Sequence, residues 1–174
     1  MIKLSNVELK GEKMNFFYNI IFVTVWHYLS FRIVVLPDSL TFYREDTKND
    51  FFTLLKKEKF YERILKIKKW KDKIPQFVVK GGFSKNKIQN LNLGYLKKFI
   101  AETYRAEIDH LLCCFSVPFL FFFNSLKNLK LSCIISGLVI IGNLPCVLIQ
   151  RYNRFRIRRI YLKLKNKKDK KILN

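Results

Sequence analysis

The sequence predicts an all-α membrane protein with about three transmembrane helices, one near the N-terminus and then a C-terminal helical hairpin, plus a basic interfacial helix. Three observations lead there. Apolar runs long enough to enter a bilayer recur three times. Hydrophobic residues form 49% of the chain and charged residues 27%, and the two classes are separated along the sequence, where a soluble core would interleave them. The net charge of +21 lies almost wholly in two flanks of the apolar runs. The 174 residues amount to one domain's worth of chain, so 1–174 is expected to be a single membrane domain.

The first expected span covers residues 14–36, from Met14 to Leu36, interrupted by His27 and Arg32. A signal peptide is the rival reading. It is weaker, because the stretch exceeds an ordinary apolar core and no small-x-small cleavage site follows. The third span, 131–149, runs from Leu131 to Ile149 and has about the ~20 residues that a spanning helix needs. Pro145 lies within it, where neighbouring helices can satisfy the freed backbone groups. The second is shorter. Its apolar run Leu111–Phe123 covers only about 20 Å at ~1.5 Å per residue. Either it extends to residues 108–126 or it enters the bilayer without fully crossing. The short connection Asn124–Lys130 makes the second and third segments an antiparallel hairpin in both cases.

Charge orients these segments. The tail 150–174 holds 11 of the 34 Lys and Arg residues and Pro37–Glu107 holds 17. A multi-pass arrangement with the C-terminus cytoplasmic places both on the cytoplasmic face of the membrane, as the positive-inside rule requires. Within the basic region 37–107, helical spacing from Phe60 to Lys69 gathers Phe60, Tyr61, Ile64, Leu65 and Ile67 on one arc opposite Glu62, Arg63, Lys66 and Lys69. This reads as a membrane-surface helix attracted to anionic lipids; a helix packed on neighbouring protein is the alternative. Pro75, Gly81–Gly82 and Ser84–Asn92 read as a loop. Asn92 is placed to cap a helix that starts near Leu93 and continues towards Leu111. The tail beyond Arg156 reads as a solvated, lipid-attracted basic segment.

Cys113, Cys114, Cys133 and Cys146 all lie in apolar runs without metal-ligand spacing and read as small buried residues. The two histidines are far apart in sequence, so no metal is expected. A basic chain invites a nucleic-acid reading, but the charge flanks apolar segments and no basic folded face is suggested; no nucleic-acid partner is expected. A phosphate-cradling Gly-rich loop, a nucleophile elbow and HExxH are all absent, as is a His-x4-Asp pair at His110.

One dense ionisable cluster adjoins an apolar run: Glu102, Arg105, Glu107, Asp109 and His110. On a helix Glu102, Arg105 and Asp109 share a face, and Glu107 and His110 lie three apart on another. Glu107 could orient His110 and raise its basicity; an ordinary salt-bridged helix end is the alternative. His27, an ionisable residue within a span, reads either as a functional group or as a neutral histidine hydrogen-bonded inside the bundle. Arg151 and Arg154, in Gln150-Arg-Tyr-Asn-Arg154, could clamp a phosphate or anchor the chain at the inner face.

Four blocks carry a family resemblance: Phe60-Tyr-Glu-Arg63; Lys69-Trp-Lys-Asp-Lys-Ile-Pro75; Glu102-Thr-Tyr-Arg-Ala-Glu107 with His110; and Asn143-Leu-Pro-Cys-Val-Leu-Ile-Gln-Arg-Tyr-Asn-Arg154. In that order and spacing they resemble the glycosyl-4,4'-diaponeurosporenoate acyltransferase family of small bacterial membrane proteins, over roughly Phe60 to Arg159. The resemblance implies an acyltransferase of staphyloxanthin-type carotenoid biosynthesis, which esterifies a fatty acyl group onto the sugar of a glycosylated carotenoid acid. It places Glu102, Arg105, Glu107, His110, Trp70, Asp72, Gln150, Arg151, Asn153 and Arg154 at family motif positions. Two positions depart from the family pattern: Leu111 stands where Trp is usual, removing an interfacial aromatic, and Phe155 stands where Pro is usual.

The resulting expectation is a membrane O-acyltransferase. His110, supported by Glu107, deprotonates a sugar hydroxyl, with Glu102 in the same cluster. Arg105, or Arg151 and Arg154, holds donor phosphate or the developing oxyanion. Trp70, Asp72, Gln150 and Asn153 contribute to substrate binding. No cofactor is expected beyond an acyl thioester as co-substrate. The expected partners are a lipid or glycolipid substrate, anionic membrane lipids and other pathway enzymes in the membrane. The rival is a non-catalytic membrane scaffold or lipid-binding subunit of a lipid-modifying pathway.

Overall fold

The computed structural model describes residues 2–34, 58–74, 88, 90–123 and 129–173. Five α-helices occur among them: α1 (Ile2–Val34), α2 (Glu58–Arg63), α3 (Leu93–Cys114), α4 (Val117–Phe123) and α5 (Leu129–Leu173), with single 3-10 turns at Ile67–Lys69 and Lys71–Lys73. No strand occurs among the described residues, so the all-α expectation holds. Two helices, α1 and α5, contain stretches long and apolar enough to cross a membrane. Pro75, Gly81, Gly82, the end of the first expected span at 35–36, the start of the basic region at 37–57 and the connection at 124–128 lie outside the described residues. The chain divides into two compact units, Met1–Leu36 with Ile108–Leu144 and Pro37–Glu107 with Pro145–Asn174.

The first unit buries polar and apolar side chains together on its inner side and turns apolar ones outward. Along α1 the residues turned inward recur at helical spacing: Asn19, Phe22, Val23, Trp26, His27 and Ser30, of which Asn19 and Ser30 are buried. Phe17, Tyr18, Ile21, Tyr28 and Ile33 are exposed. The first part of α5 repeats the pattern. Ser132, Ile135, Ser136, Val139 and Asn143 are buried, whereas Ile134, Leu138, Ile141 and Leu144 are exposed. A helix in water would present the reverse arrangement.

The second apolar segment is not one continuous helix. Pro118 cannot donate a backbone hydrogen bond and clashes with a preceding helical turn, so α3 stops at Cys114 and α4 begins afresh at Val117. Ser116 spans the break, its hydroxyl donating to Cys113 O at 2.8 Å and its carbonyl accepting from Phe119 N at 3.1 Å. The Trp26 indole donates to Leu112 O at 2.7 Å, which ties α1 to the broken turn. Phe22, Trp26 and Phe119 stack around it, with the Trp26 and Phe119 ring centroids 5.2 Å apart. Leu120 of α4 packs on Ile135 and Val139 of α5, with Phe22 and Val23 at the margin.

The second unit has two apolar clusters. Leu96, Phe99 and Ile100 of α3 pack on Ile157 and Tyr161 of α5. The tail beyond Arg156 is therefore helical and partly buried as far as Tyr161, a correction to its reading as a solvated segment. Asn92 caps α3 as expected, its side-chain oxygen accepting from Tyr95 N at 2.7 Å. The predicted helix Phe60–Lys69 is also corrected. It ends at Arg63, and Lys66 takes a left-handed conformation with φ 48°, which no helix interior accommodates. This turn allows both Tyr61 and Ile67 to be fully buried against Ile149 and Tyr152. The Trp70 indole donates to Leu65 O at 2.8 Å, satisfying a carbonyl that the broken helix leaves open. The apolar arc thus faces protein, although Ile64 is exposed.

Candidate functional site

The candidate residues fall into two clusters, one in each unit. In the first, half-buried His110 on α3 presents Nδ1 to Asn143 Oδ1 on α5 at 3.0 Å. Asn143 Nδ2 donates to Val139 O at 2.9 Å and faces His27 Nε2 at 3.4 Å. His27 Nδ1 lies 2.8 Å from Val23 O, one turn earlier on α1. His27 is therefore a hydrogen-bonded histidine within its unit.

The second cluster is a buried ion triad. Glu107 is completely buried, and its carboxylate receives Arg151 Nε on one oxygen and Arg154 Nη2 on the other, the latter at 2.5 Å. The Arg154 contact is an ion pair rather than an aligned hydrogen bond, since Glu107 Oε2 lacks a hydrogen-bond partner. The Arg154 guanidinium lies over the Tyr104 ring, 3.9 Å from its centroid, a favourable position for a cation. Two cations share one anion, so the cluster carries net positive charge. The Tyr61 hydroxyl is buried beside it. Burial holds its pKa above the ordinary value, partly opposed by the Arg151 charge.

The expected support of His110 by Glu107 is replaced by different partners for each residue. Side chains three apart on a helix diverge by roughly 60° at 3.6 residues per turn. A fully buried carboxylate requires cations, and Arg151 and Arg154 supply them. Glu102 and Arg105 pair with each other across one turn at 2.9 Å. Trp70 belongs to the core under α5, and exposed Asp72 pairs with Lys71 at 2.5 Å. Gln150 is buried on α5 with its carbonyl oxygen unpartnered, and Asn153 is half-buried nearby on the same helix. Tyr152 donates to Glu62 Oε1 at 3.0 Å, and Lys68 reaches the same oxygen at 2.7 Å. These bonds, from Lys68 first and Tyr152 second, hold the Glu62 carboxyl below its usual range. Burial first and the bond to Glu62 second push the Tyr152 hydroxyl up. Among the described residues no group of three or more His, Cys, Asp or Glu side chains comes together as metal ligands.

Chemically, the first cluster offers an imidazole held through one nitrogen, and the second an excess of buried guanidinium. The family model for glycosyl-4,4'-diaponeurosporenoate acyltransferase matches residues 39–163, which include every residue of both clusters except His27 and Val23. The chain belongs to this acyltransferase family. The chain is 28% identical over 121 residues to the glycosyl-4,4'-diaponeurosporenoate acyltransferase of Staphylococcus aureus strain Newman and 27% identical to that of strain MRSA252. In both cases the match covers 68% of this chain and 71% of the relative. No solved structure matches it.

Sequence spacing along the acyltransferase motifs missed Asn143 as the partner of His110. Asn143 opens the Asn-Leu-Pro-Cys block, and a polar amide at the centre of an apolar span was the available signal. Tyr61 and Tyr104 were missed because their roles depend on contacts with α5, which helical spacing within one element cannot show.

Proposed function

We propose that this protein is a membrane-bound O-acyltransferase that esterifies a fatty acyl group onto a sugar hydroxyl of a glycosylated carotenoid acid or similar glycolipid, with an acyl thioester as donor. The observation that carries the reading is His110, held through Nδ1 by Asn143 at 3.0 Å in a chain of this acyltransferase family. An imidazole engaged through Nδ1–H presents its Nε2 lone pair as a general base. Nε2 takes the hydroxyl proton as the sugar oxygen bonds to the acyl carbon. The carbon–sulfur bond then breaks, and the departing thiolate takes the proton from Nε2. No further redox or metal chemistry is required.

The positive excess on Arg151 and Arg154 suits the phosphates of such a donor. Arg105, Glu102, Trp70, Asp72, Gln150 and Asn153 stand as supporting positions. The outward apolar faces of α1 and α5 support residence in the bilayer. The basic flanks support a multi-pass cell-membrane topology in which the broken second segment also enters the bilayer and the C-terminus is cytoplasmic, near anionic lipids and pathway enzymes.

The test is to incubate the purified protein in nanodiscs with glycosyl-4,4'-diaponeurosporenoate and a long-chain acyl-CoA. Mass spectrometry should detect the acyl ester. If neither this glycoside nor the glycolipids of the producing cell gain an acyl group, the enzymatic reading fails in favour of a non-catalytic scaffold.

A further inference from the structure

We propose that Asn143 and His27 are positioning residues for the transfer reaction, forming a hydrogen-bond relay that fixes which nitrogen of His110 carries the lone pair. The inference rests on His110 being the base, as proposed above. It follows from directions that the relay's two backbone carbonyls impose. Val139 O can only accept, and it lies 2.9 Å from Asn143 Nδ2, so the amide nitrogen must face it. The amide cannot be reversed without setting two oxygens against each other. Asn143 Oδ1 is therefore turned to His110 Nδ1 at 3.0 Å, which must be the protonated nitrogen of the neutral ring.

His27 completes the arrangement from α1. Val23 O, also an acceptor only, lies 2.8 Å from His27 Nδ1. The proton of His27 is consequently on Nδ1, and Nε2 is left to accept the second Asn143 amide proton across 3.4 Å. Each link thus donates in one direction, from His110 to Asn143, from Asn143 to His27 and from His27 to Val23. The relay ends at the His110 Nε2 lone pair on one side and at a backbone carbonyl on the other. Trp26, adjacent to His27, is bonded to Leu112 O at 2.7 Å, which holds this turn of α1 in place.

The chemistry explains why an amide serves here. When Nε2 takes a proton, the ring becomes cationic and its Nδ1–H bond to Asn143 strengthens. A carboxylate would do the same, but at this position it would add a charge that the neutral ring does not compensate. The amide carries none, and its oxygen becomes a better acceptor because its nitrogen already donates to Val139 and His27.

The chain contains two histidines, and both belong to the relay, so histidine-selective ¹⁵N labelling reads it without ambiguity. In nanodiscs near neutral pH, each neutral ring is expected to show a protonated Nδ1 and an unprotonated Nε2. A His110 ring protonated at Nε2 overturns the proposal regardless of any variant's folding. Steady-state kinetics supply the second arm. His110→Ala is expected to lose about 100-fold or more in kcat. Asn143→Ala should lose about 10- to 100-fold in kcat with KM within about twofold, as expected for an outer-shell partner. His27→Phe should show a smaller kcat loss that His27→Gln restores, since a glutamine oxygen can accept the same amide proton. If His110→Ala is inactive while Asn143→Ala keeps full kcat, the relay is wrong and the base stands. If His110→Ala remains active, the base itself is wrong. Equal losses in His27→Phe and His27→Gln would remove His27 from the relay.

Discussion

Replacing Glu107 with Gln tests the buried triad directly. The substitution preserves shape and removes the anion that Arg151 and Arg154 share; their side chains are 16% and 5% exposed, beside a Glu107 side chain that is 1% exposed. Breaking a buried ion pair by deleting one partner costs about 3–5 kcal/mol, mainly because the remaining charge is left uncompensated. For a chain of this size each kcal/mol shifts the melting temperature by about 2–4 °C, so Glu107→Gln should lower it by about 6–20 °C. The two tryptophans, Trp26 and Trp70, lie in different units, and Trp70 belongs to the cluster around Tyr61. Tryptophan fluorescence in a Trp26→Phe background therefore reports on the second unit alone. Adding Arg154→Met to Glu107→Gln should recover part of the loss by removing one stranded cation. A Glu107→Gln protein melting within about 2 °C of its parent would refute the triad as a stabilising centre.

Truncation after Arg156 should be destabilising, because it removes Ile157 and Tyr161 from the cluster on α3. Losing two buried side chains is worth about 3–6 kcal/mol, and unchanged protease resistance would contradict this. Asn92→Ala removes the cap on Tyr95 N and should cost about 1 kcal/mol, visible as a small drop in melting temperature. Glu62 gives an acid-side effect. Its folded pKa lies below the ordinary 4.5, so its stabilisation is complete above about pH 4.5 and is lost as pH falls through the folded value. Glu62→Gln should flatten the fall in melting temperature below about pH 4.5; an unaltered acid limb would remove Glu62 as its source.

The elements legible in the sequence were those set by local physics. The apolar stretch of the first expected span as far as Val34, the apolar stretch 131–149 and the Asn92 cap all emerge in the helices. Tertiary demands decided the rest. The helix proposed for Phe60–Lys69 had the right amphipathic period, but burying both Tyr61 and Ile67 required a left-handed turn at Lys66. The break at Pro118 was not read from the sequence, because apolar composition alone favours continuity. The basic tail reads as solvated by composition because Ile157 and Tyr161 are sparse among charges, yet their spacing of four places them on one helical face. At the candidate site, Arg151, Arg154, Glu107 and His110 were legible as chemistry-bearing residues. Their partners were not, since Glu107 meets residues 44 and 47 positions away and His110 meets one 33 positions away.

The role of His110 as the base is tested by acyl transfer in His110→Ala, compared with the parent protein at equal amounts in the membrane fraction. That role predicts normal insertion with ester formation reduced at least about 100-fold, as loss of a general base requires. Ester formation at the parent rate by His110→Ala would contradict it.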